Sequence, residues 1–187
     1  MRILRQLPNL LTLLRLVMTL PIGWLLLEQR YAAALLWFAL AGASDALDGF
    51  LARRFGWVSH FGSIIDPLAD KLLLVTSYLC LGIAGAIPLW LVAVVLGRDL
   101  LLVGGAILYR SLRGPFRISP SRLGKLSTLL QILLILALLL QMSIQPSFVE
   151  VQRLFQWLVL LATLASGVDY CRVWIGKFTS QSLEPGP

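Results

Sequence analysis

The stretch SDALDGFLARRFGWVSHFGSIIDPLADK, Ser44 to Lys71, holds Asp45, Asp48, Asp66 and Asp70, four of the nine acidic residues in a chain of 187. Each stands inside or beside an apolar run of about 20 residues, the length that crosses roughly 30 Å of hydrocarbon. Such runs recur outward from this stretch: Leu10 to Leu27, Tyr31 to Ala52, Ser63 to Ile83, Ile87 to Tyr109, Leu123 to Met142 and Leu154 to Ile175. In lipid every backbone N–H and C=O must be satisfied within its own segment, and the period-2 alternation of a barrel is absent, so all six are expected to be helices. Connections between them are short. The chain reads as an all-α integral membrane protein with six transmembrane helices in one bundle, a single membrane domain over residues 1–178 and a flexible polar tail over 179–187.

Composition points the same way. The chain is 58% hydrophobic and 13% charged, where a water-soluble domain carries about 25% charged residues. Arg15 interrupts the first apolar run and no small-residue cleavage site follows it, so no cleavable signal peptide is expected. The segment before Pro8 suits either a short interfacial helix or an ordinary positive flank. Cys80 and Cys171 form neither a disulfide framework nor a metal-binding spacing.

The net charge of +7 is distributed as a membrane topology rather than as a nucleic-acid patch. With six spans, Arg2, Arg5, Arg53, Arg54, Arg110, Arg113, Arg117, Arg122, Lys125, Arg172 and Lys177 fall on the side of both termini, while Arg30 and Arg153 fall opposite. The positive-inside rule places both termini in the cytoplasm. A bacterial cytoplasmic membrane is the expected location.

On a helix, Asp45, Asp48, Gly49 and Ala52 lie within an arc of about 100°, with Arg53 following, and Gly62, Asp66 and Asp70 recur at four-residue steps on the next helix. Two helices joined by a short loop can thus bring four carboxylates together. Uncompensated, those charges would repel one another. A hard divalent cation resolves this: oxygen ligands without His or Cys suit Mg²⁺, Mn²⁺ or Ca²⁺ rather than zinc, and two ions about 4 Å apart would suit a diphosphate. The alternatives are capping or pairing of these aspartates with Arg53, Arg54 and Lys71, and a divalent-cation transporter or channel, for which paired inverted repeats with broken helices are missing.

The eight positions Asp45, Asp48, Gly49, Ala52, Arg53, Gly62, Asp66 and Asp70 match without a gap the signature of the CDP-alcohol phosphatidyltransferases, which the chain resembles. The resemblance implies six membrane helices, with the motif on helices 2 and 3, in a homodimer. It implies transfer of a phosphatidyl group from CDP-diacylglycerol to an alcohol, with release of CMP. Asp45, Asp48, Asp66 and Asp70 would hold Mg²⁺ or Mn²⁺, two ions per site; Gly49, Ala52, Arg53 and Gly62 would accommodate the CDP portion; Asp70 would also be the general base.

The motif does not choose the acceptor. LPNLLTLLR resembles a segment of family members acting on glycerol-type acceptors, whereas DPLADKLLL, GRDLLLVGGAILYR and ISPSRLGKLSTLLQ look more like members that form cardiolipin from phosphatidylglycerol. Phosphatidylglycerol is therefore the expected acceptor and glycerol 3-phosphate the alternative. Arg98, Arg122 and Lys125 are candidates for the acceptor's phosphate, with a buried Arg98–Asp99 pair as the other reading of Arg98. His60 is expected to be interfacial, Asp169 to pair with Arg172, Pro67 to distort helix 3 locally, and Ala41 to Ser44 to admit a neighbouring helix.

Overall fold

The computed structural model describes residues 7–55, 60–113, 121–144 and 149–180, and every regular element among them is an α-helix. These are α1 (Leu7–Leu27), α2 (Tyr31–Phe55), α3 (His60–Ile83), α4 (Leu89–Arg113), α5 (Arg122–Ile144) and α6 (Val149–Ser180). They follow the six apolar runs, with most ends lengthened by a few residues. α6 continues through Thr179 and Ser180, where a tail was expected. The interfacial segment before Pro8 lies outside the described residues, apart from Leu7, which opens α1.

Five helices, all but α3, are long and apolar enough to cross a membrane. α3 carries Asp66, Asp70 and Lys71 in its first half. Large apolar side chains stand exposed on every helix, among them Leu20, Leu36, Ile83, Leu100, Leu129 and Leu161. A surface of that kind matches lipid rather than water, and the chain is a multi-pass membrane protein.

The chain divides into two compact units, Met1–Leu89 with Ile135–Phe148, and Trp90–Leu134 with Val149–Pro187. In the first, α1 packs on both α2 and α3. Its buried stripe is Thr12, Arg15, Thr19, Ile22 and Leu26, the spacing of one helix face. That stripe is polar in its first half and apolar in its second. Gly23 marks the close approach of α1 to α3, since a Cβ there would lie 2.9 Å from Thr76 Cγ2 and 3.5 Å from Cys80 Sγ.

Two turns of this unit end their helices alike. After α1, Arg30 N–H donates to Leu25 O at 2.9 Å and Gln29 N–H to Leu26 O at 3.1 Å, with Gln29 at φ 56°. After α3, Ala86 N–H donates to Leu81 O at 2.9 Å and Gly85 N–H to Gly82 O at 3.1 Å, with Gly85 at φ 77°. This paired pattern satisfies carbonyls that a helix C-terminus otherwise leaves open. After α1 it brings the chain back so that α2 packs on α1.

Pro21 and Pro67 sit inside continuous helices, as membrane helices permit when neighbours satisfy the freed carbonyls. Of the small-residue run, only Ala41 is fully buried; Gly42 has open space around its Cα. Gly23 on α1 makes a close approach of its own, to α3.

In the second unit, the Trp90 and Trp157 ring centroids lie 5.9 Å apart with the rings tilted by 37°, and those of Tyr170 and Trp174 lie 5.5 Å apart. Ser127 and Thr163 share a hydrogen bond of 3.2 Å, and Gln131 Nε2 donates to Ser127 Oγ at 3.3 Å. These buried polar groups link α5 to α6 in a setting without water to compete.

Candidate active site

Asp45 and Asp48 fall on one side of α2, and Asp66 and Asp70 on successive turns of α3. What joins them is a side chain of α1. Arg15 is fully buried at 0% exposure. Its Nη1 lies 2.7 Å from Asp45 Oδ1, and its Nη2 donates to Asp48 Oδ2 at 2.6 Å. Nη1 also donates to Asp70 Oδ1. One turn earlier on α1, Thr12 Oγ1 donates to Asp66 Oδ1.

The environments of the four carboxylates differ. Asp48 is buried, with 7% of its side chain exposed, whereas Asp45 and Asp70 are each 48% exposed. A buried carboxylate is held in place by its cation; exposed ones can also meet a ligand from solvent. Arg15 takes one oxygen from each of the three carboxylates it meets and leaves the other for a further ligand. The donors are all hard oxygens, the chemistry that fits Mg²⁺ or Mn²⁺. As the side chains stand, no group of three or more acidic, histidine or cysteine side chains among the described residues is arranged to hold a metal ion; three of the four carboxylates turn to Arg15.

Gly49 lies beside Asp48 on α2. Ala52, Arg53 and Gly62 belong to α2 and α3, but their side-chain positions lie outside the described residues, as do those of His60, Arg110, Arg113 and Arg117. The alternative partners weighed for the aspartates included Arg54, which is exposed at the end of α2. Arg15, which was not among them, meets three of the aspartates. Sequence reasoning noted it only as an interruption of the first apolar run, yet the signal was present: Thr12, Arg15 and Thr19 form a polar stripe at helical spacing, and a charged residue within a span is functional by default.

The second unit contains Arg98, buried at 8% exposure. Its Nη1 donates to Asp99 Oδ1 at 2.7 Å and its Nη2 to Ser166 Oγ at 2.8 Å, with Nε 3.3 Å from the same hydroxyl. Nη2 also lies 3.5 Å from Gly124 O. A Cβ on residue 124 would approach that Nη2 to 3.2 Å, so a glycine keeps the channel for the guanidinium open. The buried pair with Asp99 is thus formed. Arg122 and Lys125 stand exposed on the first turn of α5. Asp169 does not meet Arg172: no ion pair joins them among the described residues, and Arg172 is exposed.

The profile of the CDP-alcohol phosphatidyltransferase family matches residues 5–168. A cardiolipin synthase (CMP-forming) / mitochondrial hydrolase fusion protein of Schizosaccharomyces pombe is 39% identical over 183 residues, covering 88% of this chain and 30% of that protein. A chloroplastic CDP-diacylglycerol–glycerol-3-phosphate 3-phosphatidyltransferase of Oryza sativa is 37% identical over 187 residues, covering 88% of this chain and 56% of its own length. The chain thus spans less than two thirds of these two relatives. A CDP-diacylglycerol–glycerol-3-phosphate 3-phosphatidyltransferase of Bacillus subtilis is 30% identical over 182 residues, covering 88% of this chain and 93% of that protein. With the motif of α2 and α3 inside the matched region, the chain belongs to the CDP-alcohol phosphatidyltransferase family.

Proposed function

We propose that this protein transfers the phosphatidyl group of CDP-diacylglycerol to the hydroxyl of phosphatidylglycerol, forming cardiolipin and releasing CMP. The observation that carries the transfer chemistry is the convergence of Asp45, Asp48 and Asp70 from two helices on the buried Arg15, with the family motif intact around them; the name of the Schizosaccharomyces pombe relative favours phosphatidylglycerol as the acceptor.

Asp45, Asp48, Asp66 and Asp70 would hold two divalent ions, Mg²⁺ or Mn²⁺, whose charge would offset that of the diphosphate and make CMP a better leaving group. Gly49, Ala52, Arg53 and Gly62 would accommodate the CDP portion. Asp70, half exposed, takes the proton of the acceptor hydroxyl as its oxygen bonds to the lipid-linked phosphorus, and the phosphorus–oxygen bond to CMP breaks with its electron pair leaving on CMP. Arg122 and Lys125, exposed at the start of α5, are suited to an acceptor phosphate. Arg98 was a third candidate for that phosphate; its donors are engaged by Asp99 and Ser166, and we assign it to internal pairing.

The reading includes α3 as a sixth span, a membrane domain over residues 1–178, a homodimer, and both termini on the cytoplasmic side of a bacterial cytoplasmic membrane. Support for the topology comes from the distribution of Arg and Lys along the chain. Glycerol 3-phosphate is the second reading of the acceptor, favoured by the names of the rice and Bacillus relatives.

The test is a transfer assay on purified protein with CDP-diacylglycerol and Mg²⁺ or Mn²⁺, offering phosphatidylglycerol and glycerol 3-phosphate separately. Cardiolipin from the first is the expected outcome. Phosphatidylglycerophosphate from the second, without cardiolipin from the first, transfers the assignment to glycerol 3-phosphate. Cation flux through proteoliposomes with no transfer to either acceptor would overturn the enzyme reading altogether.

A further inference from the structure

We infer that Arg15 is the internal counter-ion of the aspartate cluster and competes with a divalent cation for the same carboxylates. The inference rests on the metal-dependent reading proposed above and deepens it. Arg15 belongs to α1, outside the motif, yet its two Nη atoms meet Asp45, Asp48 and Asp70. These carboxylates are three of the four assigned to the cation. The guanidinium takes one oxygen of each, Oδ1 of Asp45 and Asp70 and Oδ2 of Asp48; a divalent ion on the remaining oxygens would stand within a few ångströms of it, and two positive charges at that distance repel strongly at low dielectric, so each weakens the hold of the other.

Burial makes this contact consequential. Arg15 is at 0% exposure and Asp48 at 5%, so either charge left alone in that position is costly. Arg15 therefore holds α2 and α3 in register on α1 before a cation arrives. It also sets the cation concentration at which the carboxylates change partner.

The guanidinium is anchored at its Nη atoms only. Its Nε–H is buried and meets no acceptor among the described residues. Thr19 Oγ1 donates to the Arg15 carbonyl at 3.1 Å, a bond to the backbone that makes no demand on the guanidinium. A fork with an unused donor has a way to remain bonded to an anionic oxygen when the aspartates let go.

The experiment uses the full chain in lipid nanodiscs without CDP-diacylglycerol. Mn²⁺ binding is followed by the paramagnetic signal of the free ion, and the unfolding midpoint is measured in chelator and in saturating Mn²⁺. Native protein is compared with Arg15→Gln and Arg15→Lys. Arg15→Gln is expected to bind Mn²⁺ at least about tenfold more tightly, as removal of a positive charge beside the ion requires. Its midpoint should fall in chelator and recover in Mn²⁺, while Arg15→Lys, which keeps the charge but not the fork, should keep near-native Mn²⁺ affinity with a lower midpoint in chelator. A purely structural arginine would lower the midpoint under both conditions and leave Mn²⁺ affinity unchanged or weaker, and that result overturns the inference. A variant too unstable for chelator is purified in Mn²⁺ throughout; failure of Mn²⁺ to rescue it also overturns the inference. Native protein that neither binds Mn²⁺ nor needs it for transfer overturns the metal-dependent reading together with this one. Native binding with no tightening in Arg15→Gln overturns the role of Arg15 alone.

Discussion

Replacing Arg98 by Gln separates a structural arginine from a substrate-binding one. The native guanidinium contacts Asp99 at 2.7 Å and Ser166 at 2.8 Å and 3.3 Å, and it is buried at 8% exposure. Removing one member of a buried ion pair costs about 3–5 kcal/mol, because the remaining charge keeps its desolvation penalty. The hydrogen bonds to Ser166 are part of that loss, each charge-assisted contact being worth about 1.5–3 kcal/mol. Ser166→Ala alone should then cost about 1.5–3 kcal/mol. The double variant should cost less than the two singles combined, with a coupling of about 1–3 kcal/mol, since both changes remove the same contact. Unfolding of the purified protein in mixed micelles reads these differences. At a temperature where all variants remain folded, KM for the acceptor should match the native value. A raised acceptor KM in Arg98→Gln, with an unchanged unfolding midpoint, would refute the reasoning and make this guanidinium a phosphate ligand.

Three further outcomes are expected. Asp70→Asn should lower the rate of transfer by about 10²- to 10⁴-fold, the range for loss of a general base, with the fold retained; transfer at the native rate would remove Asp70 from that role. Gly23→Ala should destabilise the first unit by about 1–3 kcal/mol through the 2.9 Å approach to Thr76 Cγ2, as overpacking does, and Thr76→Ser should relieve part of that loss by deleting the offending methyl. Gln29→Gly should raise stability by up to about 1 kcal/mol, because the backbone at φ 56° is one that a side chain disfavours and glycine adopts freely; a lower unfolding midpoint would show that the Gln29 side chain makes a compensating contact.

The comparison of α1 with α2 shows why some of the site was legible and some was not. Asp45, Asp48 and Gly49 share a face because successive residues of a helix are separated by a fixed angle, so their grouping follows from spacing alone. The same holds for Asp66 and Asp70 at i, i+4. Helical periodicity reports which side of its own helix a residue occupies, but it does not name the helix that side will meet. Arg15 lies 33 residues from Asp48 and 55 from Asp70, and nothing in its local spacing identifies those partners. Asp169 and Arg172 make the complementary point: i, i+3 spacing permitted a pair that the packing of α6 did not form.

By itself the sequence determined the helical class, the apolar runs and the carboxylate-bearing faces, since hydropathy, helical period and the need to satisfy the backbone in lipid act within one segment. Tertiary structure alone decided that Arg15 meets Asp45, Asp48 and Asp70, that Ser166 joins in holding Arg98, and that Gly23 approaches α3. Those outcomes depend on side chains far apart in the chain being brought within 3 or 4 Å, and only the docking of one helix against another sets that distance.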